Sequence, residues 1–403
     1  MIDGSGLEDV YGATIERIKA QGGDRSRLGI GALMWICHAE WPLSPDELCH
    51  CLGIELGSTD FNASNIPSIT TLLACCQGLI MVDKEESTVR LIHFTLREYL
   101  SACSNIFNRP HSAMAEICLT YLNSQVVKAL WSHSSTHLDT LIDDKPFLEY
   151  CLYFWGVHAK KELSNNARTL SMELFGQYDD SRSLESILKI DRSCPEDFPP
   201  DSLWSGLHCA SFFGLVEVVA DLIYMGCYDL DEAAYGGATA LSLAAGEGHE
   251  EVVRMLLGHQ EVTPDKSDEL DMTPLAYAAW RGHEGVVGIL LGREDVNPNN
   301  PDEGGMTPLM LAAMHGHEGV VKMLLRREEV NPDKQDNSSR TPLWHAVRHG
   351  HEGVVEILLR QVAVNPNKAD REGQTPLMLA STRGHKGVIA LLESYETVTH
   401  STI

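Results

Sequence analysis

Thr-Pro-Leu recurs at Thr273, Thr307, Thr341 and Thr375, a spacing of 34 residues that a single closed core does not generate. Leu207 and Leu241 extend the series upstream. On the same period fall Gly248-His249, Gly282-His283, Gly316-His317, Gly350-His351 and Gly384-His385, Val-Val pairs from Val252 to Val354, and Leu256, Leu290, Leu324, Leu358 and Leu392. Self-similarity at a fixed period means that each unit buries its apolar face against its neighbours, so this half of the chain must stack.

The columns have direct physical readings. The threonine hydroxyl caps free amides and proline suits the first helical turn, so Thr-Pro opens a helix. Leu-x-x-Ala-Ala gives that helix a small-residue face that allows close packing. Gly-His ends it where a positive φ is needed, and Val-Val-x-x-Leu-Leu places a second apolar stripe at helical spacing. The Val-Asn-Pro runs that begin at Val296, Val330 and Val364 break the second helix. Asp268, Asp302, Asp336 and Asp370 mark a polar turn into the next unit.

Assembled as Gly-x-Thr-Pro-Leu-x-x-Ala-Ala-x-x-Gly-His-x-x-Val-Val-x-x-Leu-Leu, the pattern resembles the ankyrin repeat. Six units fit, over residues 204–394, with divergent first and second members as end caps of a stack require. The fold class expected is mostly α: an N-terminal module (7–105) whose pattern is read below, a helical spacer (106–190), a linker (191–203) and an ankyrin-repeat solenoid. The repeated histidines read as structural, because imidazoles one repeat apart are separated by roughly 10 Å, too far to share an ion bound at about 2 Å.

In a solenoid the framework columns are committed to packing, so binding belongs to the variable ones. Those after Ala-Ala hold Phe212-Phe213, Gly246-Glu247, Trp280-Arg281, Met314-His315, Arg348-His349 and Thr382-Arg383; the position after the helix-opening leucine adds Trp344 and Met310. The resemblance implies an inner groove lined from these columns. The expected partner-binding residues are Phe212, Phe213, Trp280, Arg281, Met314, His315, Trp344, Arg348, His349 and Arg383, a set rich in the Trp, Met and Arg that interfaces favour. Packing between repeats is the competing reading for Trp344. Charge is uneven as well: residues 201–310 carry 4 basic and 19 acidic side chains, residues 311–403 carry 11 of each. A basic partner segment is steered to the first half of such a stack.

Ahead of the repeats, Ser44-Pro45-Asp46-Glu47 is a helix start. Leu79–Asp83 and Thr88–Ile92 flank a hairpin turn, and a helix resumes after His93, giving a winged-helix pattern. Direct DNA reading is not expected: the recognition-helix segment Ile66–Gly78 has no Lys or Arg, and the net charge is -26. The order of Tyr11–Lys19, Trp41–Leu48 and Val89–Leu100, followed by His111–Leu122 and Pro146–His158, resembles the winged-helix segment that follows the NACHT domain in fungal NLR-like proteins. That resemblance makes His93 a candidate nucleotide sensor, acting in trans, since the sequence contains no G-x-x-x-x-G-K-[ST].

No G-x-S-x-G, H-E-x-x-H, kinase set or dinucleotide fingerprint occurs, so no catalytic residue, cofactor or metal is expected. Eleven cysteines, with Cys49-His50-Cys51 and Cys75-Cys76 lacking zinc spacing, read as reduced intracellular thiols. No apolar run is long enough to span a membrane. The expected role is a non-enzymatic regulatory adaptor in the cytoplasm or nucleus. Its partner is a protein held in the groove, with a transcription factor or a NACHT-containing chain as specific possibilities.

Overall fold

The computed structural model describes residues 4–58, 61–103, 105–131, 145–178 and 204–400. The linker expected at 191–203 lies outside them. Two compact units divide at Phe198 and Pro199, and 21 α-helices stand against one two-stranded sheet among the described residues.

The first unit opens with α1 (Gly4–Ala20), α2 (Gly23–His38), α3 (Pro45–Leu52) and α4 (Ile69–Cys75). Ser44 and Glu47 close a reciprocal capping box at the start of α3, with proline at the first helical position. Strands β1 (Ile80–Asp83) and β2 (Thr88–Leu91) pair antiparallel, Val82 opposite Val89, and form the wing. Helix α5 (Phe94–Ala102) follows, capped by His93. The pattern read from sequence is present, with one helix more than its minimal three.

Helices α6 (Pro110–Leu122), α7 (Gln125–Trp131), α8 (Leu148–Lys161) and α9 (Asn165–Tyr178) complete the unit. Aromatic side chains on and next to α8 build its core. Phe147, Tyr150 and Trp155 are fully buried. Trp35 on α2 meets Phe147 edge-on at 5.4 Å and Tyr150 at 5.5 Å, and Trp41 meets Phe154 at 5.0 Å. Winged helix and spacer therefore share one apolar core, each such aromatic pair adding about 1 kcal/mol beyond its area.

The second unit is six helix pairs: α10 (Gly206–Phe213) with α11 (Val216–Met225), α12 (Ala240–Gly246) with α13 (Glu250–Leu257), and α14 (Pro274–Arg281) with α15 (Glu284–Leu291). Then come α16 (Pro308–His315) with α17 (Glu318–Leu324), α18 (Pro342–His349) with α19 (Glu352–Leu359), and α20 (Pro376–Arg383) with α21 (Lys386–His400). First helices stack on first helices and second on second. Thr273, Thr307, Thr341 and Thr375 each accept the amide hydrogen three residues on.

Two columns lock the stack. Gly214, Gly248, Gly282, Gly316 and Gly350 have φ between 71° and 80°, and a Cβ on any of them would sit 2.5–2.8 Å from the histidine ring of the next repeat. That histidine donates from Nε2 to a carbonyl one repeat back: His249 to Phe212 (2.7 Å), His283 to Gly246 (2.9 Å), His317 to Trp280 (2.9 Å), His351 to Met314 (2.9 Å) and His385 to Arg348 (3.2 Å). The imidazoles are inter-repeat rivets, the structural role expected of them. The column aspartates organise the fingers: Asp336 Oδ1 accepts from Ser338 and Arg340 amides, and the neighbouring finger bonds across, Arg371 N to Ser338 O at 3.1 Å.

Candidate functional site: the exposed strip of the repeat array

The C-terminal turns of the first helices present one short variable segment per repeat. Trp280 is half-buried and Arg281 exposed; Met314 is half-buried and His315 exposed; Arg348 is half-buried and His349 exposed; Arg383 is exposed. Six of these seven fall in three repeats, and they interact. Trp280 donates its indole N–H to His315 Nε2 at 2.8 Å. Arg281 lies 5.2 Å from the Trp280 ring centroid and pairs with Glu247 at 3.3 Å. His315 stacks on the rivet His317 and His349 on His351, with centroids 6.1 and 6.0 Å apart.

Beneath the strip, Met272, Ala276 and Leu311 form a buried cluster, and Tyr277, Trp280, Met306 and Met314 pack against it half-exposed. This is an apolar platform with adaptable methionines and one indole, the composition that anchors a partner side chain. Sequence reasoning did not single out Tyr277 or Met306. The signal for Tyr277 was its place in a column that holds leucine at Leu243, Leu311 and Leu379 and departs from it at Cys209 and His345. The tyrosine swaps a packing leucine for a ring whose hydroxyl reaches Asp268 Oδ2 at 2.5 Å. His345 makes the same latch to Asp336 Oδ2 at 3.0 Å.

Electrostatics favour neutral imidazoles in the strip. Burial, with His317 and His351 nearby, lowers the pKa of His315. Burial and then the adjacent Arg348 guanidinium lower that of His349. At neutral pH the strip therefore carries the cations Arg281, Arg348 and Arg383, one each in the third, fifth and sixth repeats, with Glu247 paired to Arg281.

Two expected binding residues are corrected. Trp344 is only 2% exposed, held between the Arg340 and Arg348 guanidinium groups at 4.5 and 5.4 Å. Its column sits at the third helical position, which faces the next repeat: Ser242, Ala276 and Met310 are buried too. Met378, with no further described repeat against it, is 58% exposed. Phe213 is 5% exposed and tucked edge-on under Phe212 at 5.3 Å. Phe212 itself is half-buried against Trp204.

In the first unit, His93 is exposed, and its ring is engaged locally as a cap, accepting from the Thr95 amide at 3.3 Å and meeting the Thr95 hydroxyl at 2.8 Å. It borders a groove of about 680 Å³ lined by Ile36, Trp41, Met81, Ile92 and Phe94 among others. Helix α4, the expected recognition helix, carries no basic side chain. Cys51, Cys75 and Cys76 are buried and burial pushes the Cys76 thiol up to about 12, so these are inert thiols. No helix among the described residues is long and apolar enough to cross a membrane.

Two family models match the two units described above. Residues 207–302, 293–370 and 309–401 match the family model described as ankyrin repeats (3 copies). Residues 18–108 match the model described as the winged helix domain of GPI inositol-deacylase. Among solved structures, an ankyrin repeat domain from Acinetobacter baumannii AYE is 27% identical over 47% of this chain and 97% of its own, with a TM-score of 0.43. The human ASB11 ankyrin repeat domain is 25% identical over 48% of this chain and 84% of its own, with a TM-score of 0.44. No curated protein matches the chain. Residues 207–401 thus carry ankyrin repeats, and a winged helix precedes them. Ankyrin repeats are protein-interaction modules, and catalysis is not typical of their fold.

Proposed function

We propose that this chain is a non-enzymatic regulatory adaptor that captures a partner protein along the strip formed by Trp280, Arg281, Met314, His315, Arg348 and His349. The observation that carries the reading is the platform of Tyr277, Trp280, Met306 and Met314 over the Met272–Leu311 cluster, flanked by arginines whose imidazole neighbours are neutral. Such a surface suits an apolar side chain from the partner with carboxylates beside it, because the anchor fills the platform and the guanidinium groups pair with the acids. The acidic first repeats add steering for a basic segment of the same partner.

The test is a peptide library displayed on phage and panned against the full chain. Selected peptides should carry an apolar anchor beside acidic residues and lose binding to a Trp280→Ala/Arg281→Ala/Arg348→Ala variant of unchanged helical content. Peptides that bind that variant equally well would remove the strip from the reading.

A second reading attaches to the first unit. His93 borders a mixed groove in which Glu40, Arg90 and Arg97 stand among apolar side chains, with Ile92 and Phe94 exposed beside it, where a NACHT-type chain supplied in trans would meet it. Loss of nucleotide-dependent association in His93→Ala would support that role; association unaffected by the substitution would remove it. Action as a transcription co-regulator in the nucleus would run through a DNA-binding partner, since α4 offers no cation to a phosphate.

A further inference from the structure

In the first unit, three side chains from separate elements converge: Glu40 in the loop after α2, His111 in the first turn of α6 and His158 in the last turn of α8. Their ligand atoms all lie within 4.8 Å of one another. His111 Nδ1 and His158 Nδ1 are 2.8 Å apart with the rings nearly parallel at 5.1 Å, and Glu40 Oε1 is 4.0 Å from His158 Nδ1. His158 is fully buried. Two imidazole nitrogens and one carboxylate oxygen, drawn from elements far apart in sequence, are the donor set a zinc-class ion takes.

From this geometry we infer that Glu40, His111 and His158 bind a divalent transition ion of the zinc class, which cross-links the winged helix to the helical spacer. Bonds of about 2.0–2.1 Å at tetrahedral angles put ligand atoms a little over 3 Å apart. The observed separations bracket that spacing, so seating the ion needs only small side-chain adjustments. The half-buried ring of His111 leaves the fourth position to water.

The surroundings fit the ion. Tyr150 Oη lies 2.8 Å from His158 Nε2 and can accept its proton once Nδ1 takes the metal, the outer-shell partner that orients a ligating histidine. Without metal, Tyr150 accepts the Glu40 amide at 3.2 Å and donates to His158 Nε2, leaving the His158 proton on Nδ1 toward His111. Switching states thus moves the His158 proton from one ring nitrogen to the other. Lys161 is ion-paired with Glu40 and competes for the carboxylate, which predicts that its removal tightens metal binding. His38 packs edge-on against His111 at 5.3 Å and completes the polar surroundings.

The test uses the chelator-treated full chain titrated with Co²⁺ and then displaced by Zn²⁺. The expected result is one ion per chain, with visible d–d absorption of nitrogen and oxygen ligation and no thiolate-to-cobalt charge-transfer band. Because Trp35 lies 6.4 Å from His158, Co²⁺ should also quench its fluorescence. His111→Gln and Glu40→Gln should each weaken binding by more than about a hundredfold, beyond the roughly 10–100-fold that an outer-shell loss gives. Lys161→Met should tighten it. Both glutamine variants change polar groups at the edge of the core, and an unchanged far-ultraviolet spectrum verifies their fold. A charge-transfer band, binding undiminished in His111→Gln, or no cobalt spectrum at all would overturn the inference.

Discussion

Trp280 donates its indole N–H to His315 Nε2 across 2.8 Å, a bond at the surface between half-buried and exposed side chains of adjacent repeats. His315 can accept it only while Nε2 is unprotonated. The bond holds the indole against the buried Met272–Leu311 cluster, so the strip is preorganised for a partner before one arrives.

Replacing Trp280 by alanine should therefore weaken peptide binding by about 2 kcal/mol or more, the scale of a central interface tryptophan. His315→Ala should cost less, because it frees the indole without removing it. Isothermal titration with a selected peptide measures both, and Trp280→Ala binding at wild-type affinity would contradict the assignment.

Trp344 behaves oppositely. Buried to 2% exposure, it should lower stability by about 3–5 kcal/mol on truncation to alanine. Trp344→Phe should fold and keep peptide affinity. A urea titration of the variants reads the first effect, and a large affinity loss in well-folded Trp344→Phe would return this residue to the binding surface.

Gly282 and His317 should be energetically coupled. Gly282→Ala forces φ = 80° on a residue with a Cβ and drives that Cβ to 2.5 Å from His317 Nδ1, costing about 1–3 kcal/mol. His317→Ala loses the bond to Trp280 O, worth about 1 kcal/mol net. Since the alanine clears the ring from the path of the new Cβ, the double variant should be more stable than the sum of the single losses implies. Strict additivity in a double-mutant cycle would refute the rivet geometry.

His208 gives the first repeat a pH dependence. It is 1% exposed, accepts the Ser205 amide at Nδ1 (3.1 Å) and faces Glu232 O from Nε2 (3.1 Å). Burial lowers its pKa to about 4, against the backbone carbonyls of Glu232 and Ala238. The folded state holds the neutral ring and the unfolded chain protonates near 6.5. Its contribution is therefore full above that value and declines as pH falls toward 4. Urea midpoints at pH 7.5 and 5 should differ more for the native protein than for His208→Gln, whose amide still caps Ser205. Equal differences would exclude His208 as the source.

The repeat period made most of the second unit legible, down to which glycines need a positive φ, because each column is sampled several times and noise cancels. A period does not say which way a column faces. Composition leaves Trp344 open between groove and inter-repeat packing, and the structure settles on packing: its column packs on the following repeat, and Met378 reveals this by being exposed where no described repeat covers it. In the first unit the capping box at Ser44 and the hairpin at residues 80–91 were local and therefore readable. Glu40, His111 and His158 were not, since each is a lone residue on its own element and only tertiary packing brings His111 and His158, 47 positions apart, into contact.

The most direct measurement of the central claim is the affinity of a library-selected peptide for the native chain and for Trp280→Ala/Arg281→Ala/Arg348→Ala, both shown to be folded by circular dichroism. Binding through the strip requires a loss of roughly a hundredfold or more, a few kcal/mol from one tryptophan and two arginines. Equal affinities would mean that the partner surface of this array lies elsewhere.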